Sequence, residues 1–289
     1  MRITQSVSRR QEYVADQIAA KIAGARPLID GLKLMGSYAA AFAYYWHNEV
    51  IPIIEAGFRP PISIGYSQFL SSETTAANMA KIREEDLNRK LPDPNDSHPS
   101  LWLRISALEK LPSDGPAQIN DRAISLIDEL DSLEQGILKS IFRHEFVDKL
   151  KFIKWGDVIE KAYYPLWQAA ANENRELLSG TTPAMLPAVM KNPAALLAKI
   201  PDPRTGKATE DQKLSFLIFI IGASLAVRLK ERGWNVLSNP GEKIRCVNDG
   251  SELRPFELVA QLWTNKLDET TWHNCCVSAG ISDIDLGSK

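Results

Sequence analysis

Two acidic residues near the start of this sequence are the first candidates for chemistry. Glu12 and Asp16 lie four positions apart in the segment SRRQEYVADQIAAKIAG, so a helix places both carboxylates on one face. Two interpretations stay open for the pair. It forms a solvated acidic edge near a helix N-terminus, where acids suit the helix dipole, or it faces another element, for which the neighbouring alanines leave room. Later, the segment DSHPSLWLR contains His98 and Arg104, and a single histidine before proline also fits a turn.

A zinc-binding helix is the next chemistry to consider. The segment FRHEFVDKL begins like HExxH, but the position four residues after His144 is Asp148, so the second imidazole is absent. HExxH requires both histidines one turn apart on the same helical face. We therefore expect His144 to be a surface residue, and neither His47 nor His273 has the spacing of a metal site. Nucleotide-binding glycine motifs and the G-x-S-x-G motif are also missing from the sequence.

The composition is that of a globular protein with 24% charged and 44% hydrophobic residues. A formal net charge of -2 over 289 residues gives no reason to propose nucleic acid as a partner.

Three cysteines without spaced pairs favour a reducing compartment, and the first residues lack the apolar core of a signal peptide. The apolar run LSFLIFIIGASLAV is shorter than the roughly twenty residues that a helix needs to cross a membrane. It therefore predicts a buried helix and no transmembrane helix.

Apolar periodicity predicts a mainly α fold. The first helix is expected from Ser8, with Gln11 completing a capping box, to Gly24, and its apolar residues recur at Val14, Ile18 and Ile22. A second helix is expected from Pro27 to about Pro52 or Gly57, followed by an extended loop, FRPPISIGYSQFLSS, and by a helix in SSETTAANMAKIREEDLNRK.

The second half of the sequence repeats the helical pattern and ends in a small β-hairpin. The tripeptide NDG lies between two short alternating runs, which predicts that hairpin, and a last helix is expected from about Pro255. The segment PSDGPAQ, residues 112–118, is the strongest linker signal. We therefore expect two domains, residues 1–111 and 112–289, in a multi-helix fold with a small C-terminal β-hairpin.

Taken in order, these segments resemble one family of zinc metallopeptidases, the HtpX and CAAX prenyl protease type. SRRQEYVADQIAAKIAG resembles the family's E-x-x-x-D helix. NDSHPSLWLRISAL is similar to its later T-H-P-P-x-x-x-R segment, with Ser97 in place of the threonine and Ser100 in place of the second proline. The resemblance is best over the first 110 or so residues, and the order of the motifs carries more weight than any one of them.

The resemblance implies a role for each matching residue. Glu12 would be the third zinc ligand, beside two histidines of an HExxH helix. Asp16 would be the carboxylate that orients one of those histidines. His98 would stabilise the tetrahedral intermediate, and Arg104 would contact that intermediate or the substrate. The implied reaction is hydrolysis of peptide bonds in a protein or peptide substrate by zinc-activated water.

The sequence departs from the family because HExxH is absent from it. Zinc would bind only with the missing histidines, so we expect this chain to be inactive alone and to act as the C-terminal portion of a larger enzyme. The implied location is cytoplasmic, with attachment to a membrane through a missing N-terminal segment. The alternative is a non-catalytic helical interaction module that uses Trp46, Trp102 and Trp167. An open apolar face beside Glu12 and His98 would favour the missing catalytic half, and a closed polar surface would favour the module.

Overall fold

The computed structural model describes residues 2–89, 98–112, 123–200 and 209–288, with side chains from residue 9 onward. The predicted fold class is confirmed: the protein is mainly helical and carries a small antiparallel sheet near its C-terminus. The helices are α1 Arg2–Ala23, α2 Ala25–Tyr45, α3 Ile51–Glu55, α4 Ile62–Ser71, α5 Glu73–Asn88, α6 Leu101–Leu108, α7 Leu130–Ile141, α8 His144–Val147, α9 Tyr164–Glu173, α10 Arg175–Leu178, α11 Leu186–Lys191, α12 Ala194–Leu197, α13 Glu210–Glu231, α14 Pro255–Trp263 and α15 Glu269–Ser278.

The strands are short. They are β1 Phe58–Arg59, β2 Lys151–Phe152, β3 Asn235–Leu237, β4 Arg245–Asn248 and β5 Ser251–Leu253. β1 pairs with β2 in parallel, and β3, β4 and β5 form an antiparallel sheet in that order. Wider π-helical turns occupy Trp46–Val50 and Ile159–Tyr163, and 3-10 turns occupy Ala123–Leu126, Trp155–Asp157 and Pro183–Met185.

The chain divides into two compact units. The first comprises Met1–Ile51 and Ile62–Lys149, and the second comprises Pro52–Pro61 and Leu150–Lys289. The expected boundary at 111/112 thus falls inside the first unit, and most of the expected linker lies outside the described residues. α7 belongs to the first unit because the Glu134 side chain accepts hydrogen bonds from the first amides of α4. That residues 1–111 complete a catalytic domain stays a prediction.

α1 starts earlier than expected, and its packed side carries an acidic residue. It begins at Arg2, so Ser8 lies inside the helix and the expected capping box is wrong, since the segment before Ser8 contains no residue that breaks a helix. The helix ends at Ala23, and Gly24, whose φ of 92° favours glycine, separates it from α2. The face packed against the unit carries Asp16 and Ala20, which are 5% and 6% exposed.

The apolar residues of α1 lie on its outer side. Val14, Ile18 and Ile22 are 49%, 54% and 68% exposed, although their spacing is that of a core-facing stripe. We call these three residues the α1 apolar face. The packed side of α1 contributes to a hydrophobic core cluster, whose buried members are Ala20, Ala25, Ile29, Leu32, Ile105 and Leu108. This cluster joins α1, α2 and α6, and it fixes the position of α6 against α1.

The segment expected to be an extended loop is largely helical. Only Phe58–Arg59 is extended, and Ile62 begins α4. Two distant contacts explain the difference: Glu134 accepts hydrogen bonds from the backbone amides of Ile62 and Ser63, and the Tyr45 hydroxyl donates to the carbonyl of Ile62 at 2.8 Å. The helix is therefore capped by a side chain from α7, which local sequence rules do not detect.

The second unit is built around α13, the apolar helix expected to be buried. Its N-terminus carries a capping box formed by Thr209 and Gln212. α13 is also the one helix in the described ranges that is long and apolar enough to cross a membrane, with a mean hydropathy of 1.6 and 61% of that stretch buried. The NDG hairpin forms as predicted, with the turn between β4 and β5. α15, which follows the expected last helix, was not predicted.

Candidate functional site

α1 and α6 bring together the four residues singled out in the sequence. Glu12 and Asp16 lie on the packed side of α1, Arg104 lies on α6, and His98 lies three positions before α6 begins. The imidazole Nδ1 of His98 lies 3.1 Å from Glu12 Oε1, and Arg104 bridges both acids. We call these four residues the carboxylate cluster. Arg104 and Asp16 alone are 88 positions apart in sequence, so the fold brings the cluster together.

Arg104 is the centre of the carboxylate cluster. Its Nε donates to Asp16 Oδ2 at 2.8 Å and its Nη2 donates to Asp16 Oδ1 at 2.6 Å, which is the two-bond geometry of a strong guanidinium–carboxylate pair. A third nitrogen, Nη1, lies 3.4 Å from Glu12 Oε2. The hydrogen bond to Asp16 raises the pKa of Arg104 above its ordinary value, against the opposing effect of burial. The guanidinium therefore remains charged and holds both acids in place.

Burial distinguishes the members of the carboxylate cluster. The side chain of Asp16 is 6% exposed and that of Arg104 is 18% exposed, whereas Glu12 retains 27% and His98 retains 59%. Asp16 is therefore not part of a solvated acidic edge, and that interpretation is wrong for it. Glu12 is held from two sides, by His98 at one oxygen and by Arg104 at the other, but it remains partly open to solvent.

The local sequence explains how His98 reaches α1. Pro99 is buried and Ser100 caps α6, with the Ser100 hydroxyl accepting from the amide of Leu103 at 3.4 Å. The cap fixes where α6 begins, so the residue two positions earlier is held at the end of the helix. Because α6 packs on α1, His98 meets Glu12 there.

The carboxylate cluster does not fit a zinc ion by itself. A catalytic zinc site needs three protein ligands and an open position, and Glu12 is the one predicted ligand here. No group of three or more His, Cys, Asp or Glu side chains that could hold a metal ion occurs in the part of the chain that the structure describes. Glu12 can contribute one carboxylate to a metal, provided that other ligands come from elsewhere.

One neighbour of the cluster was missed in the sequence. Tyr13 lies close enough to Arg104 to contribute to the raised pKa of the guanidinium. The sequence did offer one indication of this neighbour, because Tyr13 directly follows Glu12.

His144 is exposed, as expected from the incomplete zinc motif. Trp167, expected to contact a partner in the alternative interpretation, is 4% exposed and belongs to the core of the second unit, so it cannot serve that role.

No protein-family model matches this chain, and no curated protein or solved structure matches it either.

Proposed function

We propose that this chain is the C-terminal portion of a zinc metalloendopeptidase of the HtpX and CAAX prenyl protease type. The single observation that carries the proposal is the carboxylate cluster. Residues matched to the family one at a time, from two segments far apart in sequence, meet around one guanidinium. Had Glu12 been remote from His98 and Arg104, the proposal would have failed.

The α1 apolar face supports a missing catalytic half. Val14 and Ile18 lie on the same helix as Glu12 and Asp16 and are each about half exposed. Apolar residues at helical spacing normally pack against a neighbouring element. Polypeptide outside these 289 residues would cover this outer face, and its zinc-binding HExxH helix would approach Glu12 from the other side of α1 and supply the two imidazoles that the cluster lacks.

The residues of this chain would then act by holding groups in place. Glu12 would be the third ligand of zinc, which in such enzymes activates the water that attacks a peptide carbonyl. Asp16 would orient an incoming imidazole while Arg104 keeps its carboxylate in position. His98 would lie beside the carboxylate ligand, on the exposed side, where it could stabilise developing negative charge on a peptide substrate.

The proposal also specifies what the chain does alone. Without the two histidines it would bind no catalytic zinc and hydrolyse no peptide bond. The complete enzyme would be cytoplasmic, with attachment to a membrane through the segment outside this chain.

The test is to isolate the native product from the source cells with an antibody against this chain and to measure its intact mass and its zinc content. We expect a product well above 32.2 kDa with about one zinc per chain. Glu12→Gln should lower the zinc content at least tenfold, because such sites need all three ligands. Asp30→Asn, which changes an exposed acid on the neighbouring helix, is the matched control and should retain the metal. A zinc-free product of 32.2 kDa would overturn the proposal.

A second candidate function is a non-catalytic helical interaction module, and exposed apolar side chains favour it. On α2, Met35, Tyr38 and Phe42 are 64%, 40% and 41% exposed, and Trp102 on α6 is 39% exposed. This function requires a protein partner but no metal. A 32.2 kDa product that co-purifies stoichiometrically with a partner lacking HExxH, and that contains no zinc, would support the module.

A further inference from the structure

A groove opens in the second unit between β5 and α15. It has a volume of about 360 Å³, which is within the range of ligand-binding clefts. β5 contributes Glu252 and Leu253, α15 contributes Thr271, Asn274 and Ser278, and Trp234 and Ala279 also line the groove. None of these residues belongs to the carboxylate cluster, so the groove is a separate feature of the molecule.

The groove has an apolar base and a polar rim. Leu253 and Trp234 are 8% and 6% exposed. Leu253 and Val236 both pair with Cys246 and so share one face of the sheet, and Trp234 lies two positions before Val236. The rim residues Thr271 and Asn274 are exposed and carry hydroxyl and amide groups. An apolar base with a few polar groups around it is the usual composition of a binding cleft.

One wall of the groove is the open edge of the sheet. β5 is the last strand in the order β3, β4, β5, within the residues described. Asp249 and Gly250 form the two-residue turn with φ of 45° and 79°, which is the geometry of a type I′ hairpin. In such a hairpin the flanking pair, Asn248 and Ser251, exchanges both backbone hydrogen bonds.

This register determines which backbone groups face the groove edge. Hydrogen-bonded and non-hydrogen-bonded pairs alternate along an antiparallel ladder, so the next pair, Val247 and Glu252, is non-hydrogen-bonded. The backbone N–H and C=O of Glu252 therefore point away from β4, toward the open edge. A donor and an acceptor on one residue of an edge strand are the groups that pair with an added strand.

We propose that this groove binds an extended peptide segment, which adds to β5 as a fourth strand. The backbone of the peptide pairs with the N–H and C=O of Glu252, which is the recognised mode of β-strand addition. One side chain of the peptide enters the groove over Leu253, Trp234 and Ala279, so we expect that residue to be apolar. This inference does not depend on the proposed peptidase function.

The experiment selects ten-residue peptides from a random displayed library on the full chain and measures the affinity of the enriched peptides by fluorescence anisotropy. Glu252→Pro removes the outward backbone N–H without removing a hydrogen bond to β4. Glu252→Ala keeps that N–H. Both variants lose the ion pairs of the Glu252 side chain with Arg254 and Arg245, so they differ in the backbone donor. We expect Glu252→Pro to weaken binding at least tenfold and Glu252→Ala to weaken it less than threefold.

A second pair of variants tests the groove itself. Ser278→Trp fills the groove from α15 and should abolish binding. Val277→Trp places the same side chain at a neighbouring position that is 57% exposed and does not line the groove, so binding should be retained. The melting temperature and circular dichroism of each variant verify that it is folded. Failure to enrich any peptide, or equal binding to the Glu252→Pro and Glu252→Ala variants, would overturn the inference.

Discussion

Arg104 donates two hydrogen bonds to the two carboxylate oxygens of Asp16, at 2.8 and 2.6 Å, although the residues are 88 positions apart in sequence. Both side chains are largely buried, and the same guanidinium approaches Glu12. The most exposed member of the proposed site, His98, also contacts Glu12. The geometry therefore has a fixed inner part, Arg104 with Asp16, and an accessible outer part, Glu12 with His98.

The inner pair should be important for stability. Arg104→Ala leaves Asp16 buried without its partner, and we expect the free energy of unfolding to fall by about 3 kcal/mol, the usual cost of breaking a buried ion pair. The combined change Arg104→Met with Asp16→Leu should recover most of this loss, because it removes both charges. Urea denaturation monitored by circular dichroism measures these differences.

The matched control for this prediction is Arg26→Ala. Arg26 pairs with Asp30 on α2, but the two side chains are 70% and 52% exposed. Exposed pairs contribute less than about 1 kcal/mol, so the unfolding free energy should hardly change. Equal effects of Arg104→Ala and Arg26→Ala would show that the Arg104–Asp16 pair contributes no more than a surface pair.

Glu134 should be required for the start of α4. It is 6% exposed and accepts from the amides of Ile62 and Ser63 at 2.9 and 2.7 Å. Glu134→Ala removes both acceptors, so we expect a loss of about 2 kcal/mol or more. Hydrogen exchange should also become faster at these two amides. The control is Glu145→Ala, which changes an exposed acid on α8 and should leave both stability and hydrogen exchange unchanged. If the amides of Ile62 and Ser63 still exchanged slowly in Glu134→Ala, the assignment of Glu134 as the cap of α4 would be contradicted.

Two helical glycines should respond to alanine in opposite directions. A Cβ at Gly222 of α13 would lie 2.6 Å from Cδ1 of the Phe256 ring, so Gly222→Ala should cost about 1–3 kcal/mol through overpacking. A Cβ at Gly136 of α7 meets no atom within 4 Å, and Gly136→Ala should stabilise the protein by up to about 1 kcal/mol. Thermal unfolding of the two variants gives the comparison, and a stabilising Gly222→Ala would mean that Phe256 moves freely.

The three cysteines should differ in reactivity. Cys246 and Cys276 are buried, and burial raises the pKa of each thiol to about 12, while Cys275 is partly exposed. At pH 8, a thiol reagent should modify Cys275 quickly and the other two only after unfolding, because the thiolate is the reacting form. Mass spectrometry after brief alkylation identifies the site, and rapid labelling of Cys246 would contradict its burial.

The same pKa shifts predict a loss of stability at alkaline pH. A thiol whose pKa is raised in the folded state, from an ordinary value of about 9 to about 12, favours folding most strongly below pH 9. As pH rises from 9 to 12, the unfolded chain loses its proton first, so this contribution declines. Cys246→Ala should make the decline shallower, and an unchanged slope in denaturation experiments between pH 9 and 11 would contradict this prediction.

The local sequence predicted most elements of secondary structure. Apolar spacing predicted most helices, and NDG predicted the turn between β4 and β5 because that turn requires φ above zero at two positions. It also determined that Glu12 and Asp16 share one helical face, since a spacing of four residues does so in any helix. These features depend only on neighbouring residues, which is why local rules were sufficient.

Contacts between distant elements select which side of each helix is packed. The apolar stripe of α1 contains Val14 and Ile18, yet the packed side carries Asp16, because Arg104 on α6 compensates the buried charge. α4 formed where a loop was expected, because Glu134 of α7 caps it. Both outcomes depend on partners 70 to 90 positions away. Periodicity along one helix contains no information about such partners, so only the packed structure could reveal them.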